Sequence, residues 1–176
     1  MDKETKRRLA ESVRDFRLPR YTEIPTVGLY LEQTTKYING YLAPLGFMEI
    51  TPSMVSNYVK KGLIPAPVKR QYYPEQICYL FFVSLAKNLV SIEDIGLLIE
   101  VQRKSYLLPV AYDYLCDELD NLIGYVFGLK DSMDSLGVTQ SDEKDLLRSL
   151  TFSAVQVIHM RAYFAEIRRQ KAESGS

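Results

Sequence analysis

Histidine and cysteine, the side chains most often used as base, thiol nucleophile or soft metal ligand, are scarce in this 176-residue chain. There is one histidine, His159, and the two cysteines, Cys78 and Cys116, stand far apart with no CxxC spacing. Neither a zinc knuckle nor a disulfide framework is therefore expected, and both thiols are read as core. The sequence holds no Gly-rich phosphate loop, no HExxH pair and no nucleophile elbow. A nucleophile, a base and a metal thus all lack a motif, so no enzyme, no metal and no cofactor is expected. What remains is noncovalent recognition. From Thr51 to Tyr73 the chain carries Lys60, Lys61, Lys69 and Arg70, no acidic residue, and the short polar side chains Thr51, Ser53, Ser56, Asn57 and Gln71. Cations without counter-charges, set among small hydrogen-bonding groups, suit an anionic surface.

Elements that can position these residues are marked by punctuation. Thr51 reads as an N-cap, Pro52 as the first helical residue and Gly62 as a left-handed C-terminal residue, which predicts a helix of about ten residues. Met54, Val55 and Tyr58 face inward in it. Pro65 and Pro67 break regular structure, and Val68 to Tyr73 reads as a loop or small wing. Upstream, Leu9, Val13 and Phe16 among Lys6, Arg7, Arg8 and Arg14 predict a basic amphipathic helix from Lys3 to Phe16, and apolar residues from Leu29 to Leu45 predict a second helix closed by Pro44 and Gly46. Downstream, a nearly all-apolar helix opens at Pro74, and Ser91 to Asp94 forms a capping box for the next. After a break near Pro109, Tyr112, Leu115, Leu119, Leu122, Val126 and Leu129 step by three and four, a coiled-coil-like seam. Asp131 to Thr139 is the turn. Ser141 caps a last helix with acids in its first turn and Arg168, Arg169 and Lys171 in its last, so 112–170 reads as a helical hairpin.

Bulk composition narrows the classes. With 47% hydrophobic residues the chain can build a core, which excludes wholesale disorder. The longest apolar run, Ile77 to Ala86, is too short to span a bilayer and the charged N-terminus lacks a signal peptide's apolar block, so a cytoplasmic protein with no membrane partner is expected. Net charge is zero, from 22 basic and 22 acidic residues, but it is segregated: about +3 over 1–20, +4 over 51–90 and −4 over 91–130.

The run from Thr51 to Ile64, ending Lys-Lys-Gly-Leu-Ile, resembles the second helix and turn of MerR-type regulators. Arg70-Gln-Tyr72 occupies the place of that family's Arg-x-Tyr wing signature, Pro74-Glu75-Gln76-Ile77 opens the following helix, and Leu89 to Ile95 is similar to its closing pattern. Leu18-Pro-Arg-Tyr through Ile24-Pro25, Ile50 to Tyr58 and Leu63 to Pro67 are more closely similar to an uncharacterised bacterial family of MerR-like proteins, a domain of unknown function; the resemblance covers about 16–104. It implies a MerR-like winged helix-turn-helix domain (21–104), which with the elements read above makes an all-α chain: a basic N-terminal helix or arm (1–20), that domain, and a C-terminal helical hairpin (105–176) for dimerisation or effector binding.

The function so implied is transcription regulation on double-stranded DNA. Lys60, Lys61, Lys69 and Arg70 are the expected phosphate contacts, with hydroxyls of Ser53, Tyr72 and Tyr73, while Ser53, Ser56 and Asn57 are the candidate readers of base edges. Thr51 and Gln71 complete the surface. Arg7, Arg8, Arg14, Arg17 and Arg20 add a further contact or form a solvated face. Three departures from the MerR pattern stand out: Ser56 at a strongly basic position, a wing shortened by Pro65 and Pro67, and Pro109 where a long dimerisation coil would run. The hairpin seam fits a homodimer or an intramolecular pair equally, its acids are read as a solvated face, and Tyr112, Tyr125, Phe152 and Phe164 line an effector pocket or plain core. A rival reading is a protein-interaction module on the same scaffold, supported by thirteen tyrosines and zero net charge.

Overall fold

The computed structural model describes residues 2–46, 49–136 and 141–174. Asp2 opens α1 (Lys3–Ser12), its carboxylate accepting from the Thr5 N–H at 2.8 Å. The helix ends one turn before Phe16 because Val13, 2% exposed, already turns into the core, followed by the fully buried Leu18. Leu29 and Tyr30, expected as helix, form the short strand β1 (Leu29–Tyr30) instead. Helix α2 (Leu31–Leu42) starts only afterwards, where the Gln33 side chain accepts from the Tyr30 N–H at 2.9 Å. A 3-10 turn through Pro44 closes at Gly46, whose φ of 81° places it in the left-handed region.

Helix α3 (Pro52–Lys60) has the expected caps. The Thr51 hydroxyl accepts from the Met54 N–H at 3.2 Å, and at the far end the N–H groups of Gly62 and Leu63 donate to the carbonyls of Val59 and Tyr58, the pairing that a left-handed Gly62 permits. Strand β2 (Gln71–Tyr72) pairs antiparallel with β1, Leu29 opposite Tyr72 and Tyr30 opposite Gln71. Helix α4 (Pro74–Ala86) buries nearly every face, including Ile77, Leu80, Phe81 and Val83, and is accordingly the central element. Ser91 caps α5 (Ile92–Ser105), accepting from the Asp94 N–H at 3.1 Å.

Pro109 sits in the first turn of α6 (Leu108–Val126), where a missing N–H costs nothing, so the break expected near it falls between α5 and α6. Helix α7 (Asp142–Ser174) returns along α6, their contact being the most extensive between any two elements. The seam residues Leu115, Leu119 and Leu122 are thereby buried within the chain beside Thr151, Val155 and Ile158. Part of the expected turn, Gly137 to Thr139, lies outside the described residues. The acids of the hairpin are not all a solvated face: Glu118 is fully buried, one carboxylate oxygen accepting from Tyr114 Oη at 3.0 Å and the other 3.9 Å from Arg148 Nε. One hydrophobic cluster runs from Leu9 in α1 to Ile158 in α7, joining all three expected segments. Most described residues are helical, and among them no helix is long and apolar enough to cross a membrane.

Candidate nucleic-acid interface

The α2–α3 connection is held by one side chain. Asn39 on α2 donates through Nδ2 to the Ile50 carbonyl and accepts at Oδ1 from the Ile50 N–H, both at 2.8 Å, so it acts as a backbone mimic fixing where α3 begins. Lys87 Nζ, half-buried at the end of α4, bonds the neighbouring Glu49 carbonyl, and burial holds its pKa below the ordinary lysine value. Val55 and Tyr58 anchor the inner face of α3. Its outer face presents Ser53, Ser56, Asn57 and Lys60 to solvent, with Lys61 just beyond.

The outward residues differ in how free they are. Ser56 Oγ donates to the Pro52 carbonyl at 2.9 Å and Thr51 Oγ1 is engaged in the cap, so both hydroxyls serve α3 itself. The Asn57 side chain makes no hydrogen bond to the described residues. Lys61 lies 4.0 Å from Glu93, an exposed and weak pairing. Lys60, Lys69 and Arg70 have no ion pair among the described residues.

Between Pro67 and Tyr72 the chain makes a two-residue hairpin. The N–H of Val68 donates to the Gln71 carbonyl at 3.0 Å and the N–H of Gln71 to the Val68 carbonyl at 2.9 Å, leaving Lys69 and Arg70 as the tip. Both have positive φ, 50° and 65°, the left-handed pair of a type I′ turn. Asn-Gly is the combination that adopts this geometry easily; two long cationic side chains hold it here against steric cost. Strain concentrated on two exposed cations is a pointer to function.

Three expected contact residues are instead part of the hairpin's footing. Tyr72 is 4% exposed and burial raises its hydroxyl pKa, so its side chain is core and leaves the contact set. Gln71 Nε2 donates to the Gly28 carbonyl at 3.3 Å, and Tyr73 Oη donates to Gln71 Oε1 at 3.3 Å, which half-buries both. Gln76, at the start of α4, accepts from the Tyr73 N–H at 2.9 Å and donates to the Ala66 carbonyl at 3.2 Å, tying the hairpin to the central helix. Sequence reasoning missed Asn39, Gln76 and Gly28. Gly28 had no local signal, since it matters because a Cβ there would sit 2.7 Å from Gln71 Cβ and 2.8 Å from the Tyr73 ring.

The N-terminal arginines divide. Arg8 pairs with Glu4 and with Glu166 of α7, Arg17 with Glu23, and Arg20 with Asp117 and Asp120 of α6. Arg8 and Arg20 therefore link the arm to α7 and α6, whereas the Arg17 pair is local and exposed. Arg7 and Arg14, with Lys6, border a groove between α1, the end of α6 and His159. Tyr125 lines that same groove and Tyr112 a separate cavity behind α4, while Phe152 and Phe164 line neither, so of the two readings of these four aromatics, one effector pocket or plain core, the shared pocket is not formed. Both cysteines are buried free thiols; burial pushes Cys116 up to about 12 and Cys78 higher still. No group of potential metal ligands is clustered among the described residues.

No curated protein and no solved structure was found to match the chain. A family model described as Domain of unknown function (DUF1836) matches residues 19–115, from Pro19 to Leu115 in α6. That stretch is just over half of the chain and includes Asn39, all of α3, the hairpin and α4, and on this ground the protein belongs to the DUF1836 family.

Proposed function

We propose that the protein is a DNA-binding regulator of transcription in the bacterial cytoplasm, with α2 and α3 as a MerR-like helix-turn-helix and the Val68–Gln71 hairpin as its wing. Lys60, Lys69 and Arg70 contact phosphates, Lys61 contributes less because Glu93 competes for it, and Ser53, Ser56 and Asn57 face the major groove. Asn57, its amide unengaged by the described residues, is the reader suited to adenine. The observation that carries the reading is the hairpin tip, where Lys69 and Arg70 occupy left-handed backbone and have no ion pair among the described residues. Such a tip is costly to keep unless its charges are used.

The reading includes a homodimer on a two-fold operator. Since the α6 seam is filled by α7, the second copy meets another surface; α7 presents Met160 and Phe164, one turn apart and 48% and 49% exposed. The test is titration of the protein into a fluorescent random duplex while salt is stepped from about 50 to 200 mM, with anisotropy as readout. Binding whose salt dependence collapses in the Lys60→Ala/Lys61→Ala/Lys69→Ala/Arg70→Ala variant supports it. No binding at low salt by folded protein overturns it in favour of a protein-interaction module.

A further inference from the structure

A cleft of about 200 Å³ lies behind the candidate interface between α4, α5, α6 and α7, open to solvent at a rim that includes the exposed Val110 and Leu146. Its wall is aromatic to an unusual degree: Tyr79 and Phe82 from α4, Tyr106 from the α5–α6 elbow, and Tyr112 and Tyr114 from α6, with Leu98 of α5 among them. A concave, mostly apolar surface with few polar groups in its lining is the usual form of a small-molecule site.

The polar atoms in the wall are mostly spent on one another. Tyr79 Oη donates to Gln102 Oε1 at 3.0 Å and accepts from Arg103 Nε at 3.2 Å, Gln102 Nε2 donates to the Tyr106 carbonyl at 2.8 Å, and Tyr106 Oη meets Ser141 Oγ at 3.1 Å. Of the buried side-chain polar atoms in the wall, only the Tyr112 hydroxyl lacks a hydrogen-bond partner among the described residues. Glu143 and Lys144 border the cavity from the first turn of α7, and Glu143 is already bonded by Ser105 Oγ. A charged ligand would lose its hydration with no free counter-charge inside to replace it.

We infer that this cavity is a binding site for a neutral aromatic molecule of one or two rings bearing at most one hydrogen-bonding group. Size sets the scale: a closed apolar cavity of about 150 Å³ accepts benzene, and this cleft is a third larger, room for a fused bicycle such as indole. Ring-lined walls favour a flat ligand through edge and face contacts. The exposed Val110 and Leu146 at the rim give an apolar way in. The inference does not depend on DNA binding.

Indole is the probe. Because the chain contains no tryptophan, indole emission excited on the red edge belongs to the ligand alone, and its blue shift reports transfer from water to the cavity. The expected result is a saturable blue shift with a rise in melting temperature, absent with the charged analogue indole-3-acetate. Ala111→Phe, which places a ring in the space, weakens indole at least tenfold while the variant still melts cooperatively; should that variant not fold, Leu98→Phe is the second filler. No blue shift up to the solubility limit of indole overturns the inference. A shift that survives both fillers overturns it too, as does equal binding of the charged analogue. So does a dimer, seen by light scattering, whose formation covers the rim and excludes indole.

Discussion

Replacing Lys69-Arg70 by Asn-Gly separates the two roles argued for the hairpin tip, because it should move stability and DNA affinity in opposite directions. Each residue now sits at positive φ, a conformation that costs an ordinary L-residue roughly 1–2 kcal/mol, and Asn-Gly is the pair that adopts a type I′ turn most readily. Glycine returns up to about 1 kcal/mol through the greater freedom of the unfolded chain, leaving a net gain of about 1–2 kcal/mol. For a chain of this length that is a rise in Tm of about 2–8 °C, measurable by calorimetry. The same change removes two cations. At about 0.9 per phosphate contact, the slope of log affinity against log salt should fall by about 1.8, so the affinity lost between 50 and 200 mM salt shrinks roughly tenfold. Anisotropy on a random duplex reads that slope. A lower Tm would refute the strain argument; an unchanged slope in the folded variant would refute the phosphate contacts at the tip.

Gly28→Ala should destabilise the hairpin footing by about 1–3 kcal/mol in urea denaturation, since the new methyl group would overlap Gln71 Cβ and the Tyr73 ring; a neutral result would mean that β1 gives way easily. Asn39→Ala leaves the buried Ile50 N–H and carbonyl without their 2.8 Å partners and should cost about 1–3 kcal/mol, with faster amide exchange at Ile50 as the local signature. His159, half-buried with its ring edge-on to Phe127, has a pKa held below the ordinary 6.5 by burial. The unfolded chain therefore takes up this proton first, so stability is unaffected above about pH 6.5 and falls as pH drops toward the folded-state value. Stability curves of His159→Gln should lose that component, and identical pH profiles for the two proteins would contradict it.

Much of α3 was legible because its determinants are local. Thr51, Pro52 and Gly62 each act within one turn, and a cap or a left-handed glycine works from sequence neighbours alone. The same holds for Ser91 and for the apolar steps of α6, whose burial follows from helical period. Where reasoning failed, the partner was distant. Leu29 and Tyr30 carry helical spacing, yet strand pairing to Gln71 and Tyr72 some forty residues on claims their backbone. Tyr72 looked like a contact because a hydroxyl beside Arg70 suits phosphate, but alternation in β2 sends it inward while Gln71 stays half-exposed.

The sequence by itself determined the helical class, the cap-defined start and end of α3, an acid-free basic segment from Thr51 to Tyr73, and two thiols without ligand spacing. These depend on composition and on interactions within a turn, which a linear reading captures. Tertiary structure alone decided that Lys69 and Arg70 share a strained tip, that Asn39 and Gln76 brace the surface from elements before and after it, that Arg8 and Arg20 are spent on acids of α7 and α6, and that α7 fills the seam of α6. Each of these brings together groups from separate parts of the chain or follows from the backbone such pairing imposes, and no local pattern encodes which distant partner will win.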